Sequence, residues 1–290
     1  MINLIRAEWK KLLGNRMLAS FTVWLYPTGL GAFVLVMSII HLLGGETYQE
    51  LGGNWNEPML ASWNLITQFP DASLGRLPLL AFMAVMSAGE YEWGTWKNIL
   101  PRNRRWAILV AKILTMALVM VFAIGLTSII SGPVRYAAAN LIGVQTAPSL
   151  PSSDLSMFWS AYALEAGIAF FQSLFLAFFA VFAALLTRTI IGSLLLSFGL
   201  SFLEMLSPLI LMLFGRILKM PGLVNGYIFF PSYLLGNLRS WILNGVYLNT
   251  ALADFTRNLN APSTVLLLAS LLIGAASLCI WMFNRQDITA

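Results

Sequence analysis

Long uncharged apolar runs, separated by shorter charged stretches, set the pattern of this sequence. A helix needs about 20 apolar residues to cross the hydrocarbon core of a membrane, and runs near that length recur along the chain. The second run is the shortest, and it is long enough only if its helix starts near Ser73 and includes Arg76. The pattern predicts an all-α membrane protein with six transmembrane helices, at Leu18–Leu43, Leu77–Gly89, Trp106–Ser131, Met157–Thr187, Thr189–Gly215 and Ser263–Phe283.

The composition supports this fold class and excludes others. Of 290 residues, 59% are hydrophobic and 10% are charged, whereas soluble domains have roughly 45–50% apolar and about 25% charged residues. Soluble enzymes, nucleic-acid-binding proteins and disordered tails are therefore excluded, and residues 1–290 are expected to form one membrane domain. The first apolar run is too long for a signal peptide and has no small-residue cleavage pattern after it, so we expect it to be retained.

The predicted loops divide the basic residues unequally between the two sides of the membrane. One side holds eleven Lys and Arg and four acidic residues, the other holds six of each, and two carboxylates remain inside predicted helices. Because cytoplasmic loops carry an excess of Lys and Arg, we expect the first side to be cytoplasmic. The chain is then a multi-pass plasma-membrane protein with both termini in the cytoplasm.

The first sixteen residues predict an interfacial helix ahead of the first span. Residues 2–14 are amphipathic, with basic side chains off the apolar face, and Gly14 and Asn15 supply a break before the chain enters the bilayer. Such a helix lies in the membrane surface; the alternative is an ordinary basic flanking segment. The apolar face consists of Ile2, Ile5, Trp9, Leu12 and Leu13.

The predicted cytoplasmic loop at residues 90–105 mixes charged and large apolar side chains. Trp96, Ile99 and Leu100 are spaced to share one face of a short helix, which Thr95 can cap and Pro101 can end. An exposed apolar ridge in a charged loop favours a docking surface for another protein. The alternative is that the aromatic rings rest on the membrane surface.

Residues 216–262 form a long segment on the predicted outer side, between the fifth and sixth helices. Its apolar part, Gly222–Leu238, is interrupted by Gly226, Pro231 and Gly236. Counting it as a seventh span would place the C-terminus outside, against the charge distribution. We therefore predict a re-entrant helical hairpin whose broken backbone is buried in protein.

Polar side chains inside the predicted spans are the strongest candidates for chemistry. An ionised carboxylate near the bilayer centre costs about 2.5–3.5 kcal/mol on insertion scales, so such residues usually face a bundle interior. Two interpretations stay open: an outward-facing substrate pathway, or a structural hydrogen-bonded pair between helices. The candidates are Glu165 and Gln172 on the fourth helix, and Ser193, Ser197, Ser201 and Glu204 on one face of the fifth.

The sequence offers little for catalysis or for cofactor binding. Its single cysteine, Cys279, and single histidine, His41, do not make a thiolate or imidazole metal site. It also lacks nucleotide-binding and hydrolase motifs. No catalytic residue, metal or cofactor is predicted, and any ATP must be bound by a partner.

Three segments carry a family resemblance. The first comprises residues 92–104, Glu-Trp-Gly-Thr-Trp-Lys-Asn-Ile-Leu-Pro-Arg-Asn-Arg, followed by Lys112. The second is the amphipathic stretch at residues 4–12, Leu-Ile-Arg-Ala-Glu-Trp-Lys-Lys-Leu. The third comprises residues 283–288, Phe-Asn-Arg-Gln-Asp-Ile. Together they resemble the coupling loop, elbow helix and tail of ABC transporter type-2 permeases. Among these the chain is most similar to the bacterial permeases of bacitracin, lantibiotic and sodium exporters.

The resemblance implies a permease subunit that a separate ATPase powers. Two permeases, either a homodimer or a pair with a sister permease, would sit on two ATP-binding subunits that carry the ATP and magnesium. The expected activity is export of a peptide, lipid-like or amphipathic compound, and the alternative is a proton-coupled secondary transporter that uses Glu165 and Glu204. The residues implied to contact the ATPase are Glu92, Gly94, Thr95, Trp96, Ile99, Leu100, Pro101 and Arg104.

Overall fold

The computed structural model describes residues 2–44, 56–67, 71–99, 101, 103–141, 155–250, 252 and 254–286. These residues form α-helices and one 3₁₀ helix, η1, and contain no strand, so the all-helical prediction is confirmed for the described part of the chain. The helices are α1 (Ile2–Gly14), α2 (Arg16–Gly44), α3 (Asn56–Ala61), α4 (Asn64–Thr67), α5 (Asp71–Glu92), α6 (Trp96–Ile99), α7 (Arg105–Leu141), α8 (Leu155–Thr187), α9 (Ile190–Ile217), η1 (Pro221–Phe229), α10 (Pro231–Asn244) and α11 (Ala261–Arg285).

Five of these helices are long and apolar enough to cross a membrane: α2 over Ser20–Ile40, α7, α8, α9 and α11. The membrane class is thus supported. The helix predicted for the second span is present as α5, which starts at Asp71 and includes Arg76, but it is not among these five. Helix α7 has 37 residues and runs past Pro133, well beyond the predicted end at Ser131. At about 1.5 Å per residue it exceeds a hydrocarbon core of about 30 Å.

The interior of the bundle is built around α7 and α8. In their most apolar windows 67% and 72% of the residues are buried, against 18%, 22% and 11% in α2, α9 and α11. Helices that are apolar on every side belong in the interior of a bundle. A main apolar core joins α5, α7 and α8, and a smaller one joins α8, η1, α10 and α11.

The helices run back and forth between two ends of the bundle. At one end, the Glu92 carboxylate accepts a hydrogen bond from the backbone N–H of Ile190, and the Tyr91 hydroxyl donates to Gln286. We call this the α1 end; it gathers α1, α6, the start of α7, the α8–α9 turn and the end of α11. The opposite end, which holds α3, α4, η1 and α10, is the α10 end. The predicted basic side corresponds to the α1 end.

Helix α1 ends at Gly14, and α2 begins at Arg16 with the Asn15 side chain accepting the N–H of Leu18, as the predicted break requires. The predicted apolar face is not used as one surface, however. Leu12 is buried and Trp9 packs on the core, whereas Ile2 and Leu13 are 69% and 62% exposed and Ile5 is half-buried. The side of α1 that packs against the bundle therefore includes Trp9 and Leu12 of the predicted apolar face and also Glu8, which pairs with Lys112 of α7.

The segment after α9 is helical in two pieces, η1 and α10, as a hairpin prediction requires. Pro231 starts α10, and Gly245, at φ +69°, ends it in the left-handed conformation. The Asn237 side chain donates to the Leu259 carbonyl and to the Thr264 hydroxyl and accepts the N–H of Leu248. Protein groups therefore satisfy the irregular backbone here. The depth of this segment in a membrane stays a prediction.

Candidate functional site

A buried ion pair joins Arg76 of α5 to Glu204 of α9 at the α10 end. Their side chains are 3% and 4% exposed, and Nη1 of Arg76 lies 2.8 Å from Oε2 of Glu204. Arg76 also donates from Nε to the Ile66 carbonyl and from Nη1 to the Ser201 hydroxyl. The second carboxylate oxygen of Glu204 accepts the backbone N–H of Ser232 at 2.9 Å. This one pair therefore connects α4, α5, α9 and the start of α10.

A second ion pair joins Glu165 of α8 to Arg239 of α10. Nη2 of Arg239 lies 2.5 Å from Oε1 of Glu165, and the carboxylate side chain is 4% exposed while the guanidinium side chain is 34% exposed. The other carboxylate oxygen of Glu165 is buried and has no hydrogen-bond partner among the described residues. Helix α10 is thus held to α8 and α9 through both carboxylates that lie inside predicted spans.

The two ion pairs border one cavity of about 690 Å³. Glu165 and Gln172, two turns apart on α8, lie on its wall with Arg76 of α5 and Arg239 of α10. The amide nitrogen of Gln172 is buried and has no partner within the described chain. The cavity also has hydroxyl and amide side chains on its wall, so it is a polar site inside an apolar bundle. We call it the polar cavity.

The predicted serine face of α9 is confirmed as a single buried face, but its members differ in role. Ser201 contacts Arg76 behind the polar cavity, and Ser193 donates across to the Ala180 carbonyl of α8. Ser197 bonds only its own helix, at the Leu194 carbonyl, among the contacts described. Glu165, Gln172 and Arg76 thus lie on the wall of one cavity, and Ser201 and Glu204 contact Arg76, whereas no contact of Ser197 with this group is among those described.

A second cavity, of about 610 Å³, is lined mainly by apolar side chains of α8, α9, η1 and α11. Glu204 and Pro231 lie on its wall, while their neighbours Arg76 and Ser232 lie on the wall of the polar cavity. The ion pair between Arg76 and Glu204 and the start of α10 thus separate the two spaces. We call the second one the apolar cavity.

A charged cluster at the α1 end ties α1 to α5 and α7. Lys112 of α7 is 1% exposed and lies 3.3 Å from Glu8 and 3.1 Å from Glu90. Lys11 pairs with the same two carboxylates at 2.6 and 2.8 Å. The Lys112 ammonium also donates to the Met86 carbonyl and lies over the Trp96 ring. Two carboxylates and two ammonium groups balance in charge, which permits the burial of Glu8, Glu90 and Lys112 beside the more exposed Lys11.

The ammonium groups of this cluster set the titration of Glu8. Burial works to raise the pKa of the Glu8 carboxyl, but Lys112 and Lys11 outweigh burial and hold that pKa below its ordinary value of 4.5. For Lys11, burial works to lower the pKa, and Glu90 and Glu8 outweigh it and raise that pKa. The ionised forms are therefore favoured in the folded chain.

Glu8 is expected to stabilise the fold above pH 4.5 and to lose that contribution as the pH falls through its lowered folded pKa. The wild-type chain should lose about 2 kcal/mol more on acidification than Glu8→Gln, on the scale of one charged hydrogen bond. Unfolding midpoints measured at pH 7 and at pH 3 to 4 check this. The exposed carboxylate variant Glu57→Gln is the control. Equal acid losses in all three chains would contradict the ion-pair assignment.

The structure of the loop at residues 90–105 differs from the predicted one at Trp96. A short helix, α6, is present, but Trp96 is 3% exposed and packs against Phe283 and Tyr91, so an exposed ridge that includes Trp96 is wrong. Ile99 packs against the core, and Leu100 lies outside the described residues. The Thr95 hydroxyl donates to the Glu90 carbonyl. Exposed members of the predicted set are Glu92, Gly94, Pro101 and Arg104.

This loop is bound to the ends of several long helices. The Glu92 carboxylate contacts the first N–H of α9 at 2.6 Å, where a negative charge is favourable. The Arg105 guanidinium donates to the carbonyls of Phe283, Asn284 and Gln286 and so caps the end of α11. The loop is consequently a fixed part of the α1 end.

Comparison with protein-family models, with curated proteins and with solved structures finds no match to this chain. In the described part of the chain, no three His, Cys, Asp or Glu side chains are grouped to hold a metal ion. Cys279 is buried, and the side chain of His41 lies outside the described residues. A proposed function must therefore account for the two ion pairs at the polar cavity.

Proposed function

We propose that this chain is the permease subunit of an ATP-binding-cassette transporter, a membrane protein that moves its substrate through conformational changes driven by separate ATPase subunits. The observation that carries this proposal is the polar cavity at the α10 end, together with the loop of residues 90–105, which is bound to several helices at the opposite, α1 end. A transport subunit needs both parts: a site for substrate in the membrane domain, and a surface through which a partner acts on it.

Two helices connect the loop to the polar cavity. Helix α5 carries Glu90 and Glu92 at one end and Arg76 near the other, and α9 begins at the Glu92 contact and carries Glu204. A partner that displaces the loop would therefore move α5 and α9 together. These are the helices whose side chains make the ion pair between the two cavities, so their displacement would change the substrate site.

The surface proposed for the ATPase is the exposed side of the loop. Trp93 is 59% exposed, and Lys97, Pro101 and Arg104 are exposed beside it. Buried Trp96 and half-buried Ile99 then position this surface and do not themselves form its tip. We further propose that two such permeases, or this chain and a sister permease, form the complex, and that it exports an amphipathic compound across the plasma membrane.

The geometry of the polar cavity does not support the alternative function, a proton-coupled transporter. A proton carrier must exchange its proton with the solution during the cycle, whereas both carboxylate side chains are 4% exposed and each is paired with an arginine. An intramembrane enzyme would need a nucleophile and base or a metal site. The polar cavity instead offers charge pairs and amide groups suited to binding.

The test is co-purification with loop variants. The double substitution Lys97→Glu, Arg104→Glu should reduce the yield of an ATP-binding subunit isolated with the tagged chain by about tenfold, the effect of losing roughly 1.4 kcal/mol of association energy. Arg257→Glu, an equally exposed charge reversal at the α10 end, is the control and should keep the subunit bound. An ATP-binding subunit retained equally in both variants would contradict the proposed surface, and its absence from wild type would contradict the function.

A further inference from the structure

Four buried polar atoms of residues on the wall of the polar cavity have no partner in the described chain: Oε2 of Glu165, Nε2 of Gln172, Oγ of Ser232 and Nε of Arg239. Glu165 and Gln172 are 3% and 1% exposed. Buried groups left without hydrogen bonds cost folding energy, so an unpartnered set calls for an explanation. The carboxylate oxygen accepts hydrogen bonds, the two nitrogens donate them, and the hydroxyl can do both. A ligand that completes the site must therefore offer both donors and acceptors.

The charges around the polar cavity are balanced. Arg76 and Arg239 supply two positive charges, and Glu165 with Glu204 behind Arg76 supplies two negative charges. A purely anionic head would compete with both carboxylates, and a purely cationic head with both guanidinium groups. A head that carries one charge of each sign can place its cation at Glu165 and its anion at Arg239 without leaving a net charge buried.

We propose that the polar cavity binds the zwitterionic head group of an amphipath, with the amine of the head at Glu165 and its anionic group at Arg239. This inference rests on the proposed transport function, for which it names the substrate class. The head group must bear both an amine and a phosphate or carboxylate. Gln172 donates a further hydrogen bond to the anionic part.

The experiment is native mass spectrometry of the purified full-length chain in an uncharged maltoside detergent. The chain is mixed with three lipids of identical dioleoyl chains: phosphatidylethanolamine, phosphatidylglycerol and a trimethylammonium-propane lipid. Wild type should bind the zwitterionic lipid about tenfold better than either of the others, the difference expected for one charged hydrogen bond. Equal binding of all three would overturn the proposal, and this arm requires no variant to fold.

Charge-neutral variants then separate binding from stability. Glu165→Gln should shift preference about tenfold toward the anionic lipid, and Arg239→Gln should shift it toward the cationic lipid. Glu57→Gln and Arg257→Gln, exposed positions of the α10 end, should leave the wild-type preference unchanged. A purely structural role of the pair would lower binding of all three lipids equally, and that result would overturn the proposal. Because binding is measured on the chain alone, failure of the predicted lipid preference leaves ATPase co-purification as a separate result.

Discussion

Replacing Arg76 with methionine is expected to destabilise the chain by about 3–5 kcal/mol, the loss typical when one partner of a buried ion pair is removed. The reason is that Glu204 would stay buried, at 4% exposure, with its charge uncompensated. The Ile66 carbonyl and the Ser201 hydroxyl would also lose a donor. Unfolding by denaturing detergent in mixed micelles measures the loss.

A second substitution should recover most of that stability. In Arg76→Met, Glu204→Gln no charge remains buried, and the glutamine oxygen can still accept the N–H of Ser232. Replacement of a buried pair by uncharged groups is often close to neutral. Arg257→Met, at an exposed position, is the control and should change stability by less than about 0.5 kcal/mol. If Arg76→Met alone changed stability as little as Arg257→Met, that result would contradict the buried ion pair.

Replacing Trp96 with alanine is expected to cost about 3–5 kcal/mol, as for other large aromatic side chains removed from a core. The ring is 3% exposed, with centroid distances of 4.9 Å to Phe283 and 5.5 Å to Tyr91, and the Lys112 ammonium lies 5.8 Å from it. These contacts join α6 to α5, α7 and α11. The same unfolding assay measures the effect.

Trp93, three residues earlier, is the matched control because it has the same side chain and is 59% exposed. Trp93→Ala should cost less than about 1 kcal/mol. Which of the two variants loses more stability distinguishes the observed packing from the ridge predicted from sequence, in which Trp96 would be the exposed ring. A larger loss for Trp93→Ala than for Trp96→Ala would show that the loop packs the other way.

The long helices could be predicted because apolar runs are a local signal. The predicted spans for α2, α8, α9 and α11 lie within two or three residues of the observed bounds, and the expected starting region of α5 was also correct. The observed end of α7 differs from the predicted one because residues 132–141, which include Pro133 and Arg135, are more polar than the run before them, although the helix continues through them. Loss of hydrophobicity marks the edge of a membrane segment, and a helix can extend past that edge.

The partners of the buried carboxylates could not be assigned from local patterns. The sequence marks Glu165 and Glu204 as candidates but indicates no partner for either, although Arg76 and Arg239 contact them in the structure. Pairing between residues 128 positions apart depends on tertiary packing. The available signal was the position of Arg76 within the weakest span, since a charge in an apolar helix requires a partner.

The prediction of an exposed ridge in the loop at residues 90–105 was wrong for a related reason. Spacing of i, i+3 and i+4 states that Trp96, Ile99 and Leu100 share a helix face, but not whether that face meets solvent or another helix. Phe283, near the other end of the chain, covers Trp96. The number of apolar residues in the loop was therefore a signal of packing at the α1 end.

The central claim is that ATP hydrolysis on a partner subunit drives this chain. Its most direct test is ATPase activity of the tagged chain purified from its native membrane and reconstituted in nanodiscs. We expect activity to elute with the chain, to fall about tenfold in Lys97→Glu, Arg104→Glu, and to persist in Arg257→Glu. The opposite result would contradict the claim: a wild-type chain that elutes without ATPase activity and, alone in vesicles, dissipates an imposed pH gradient.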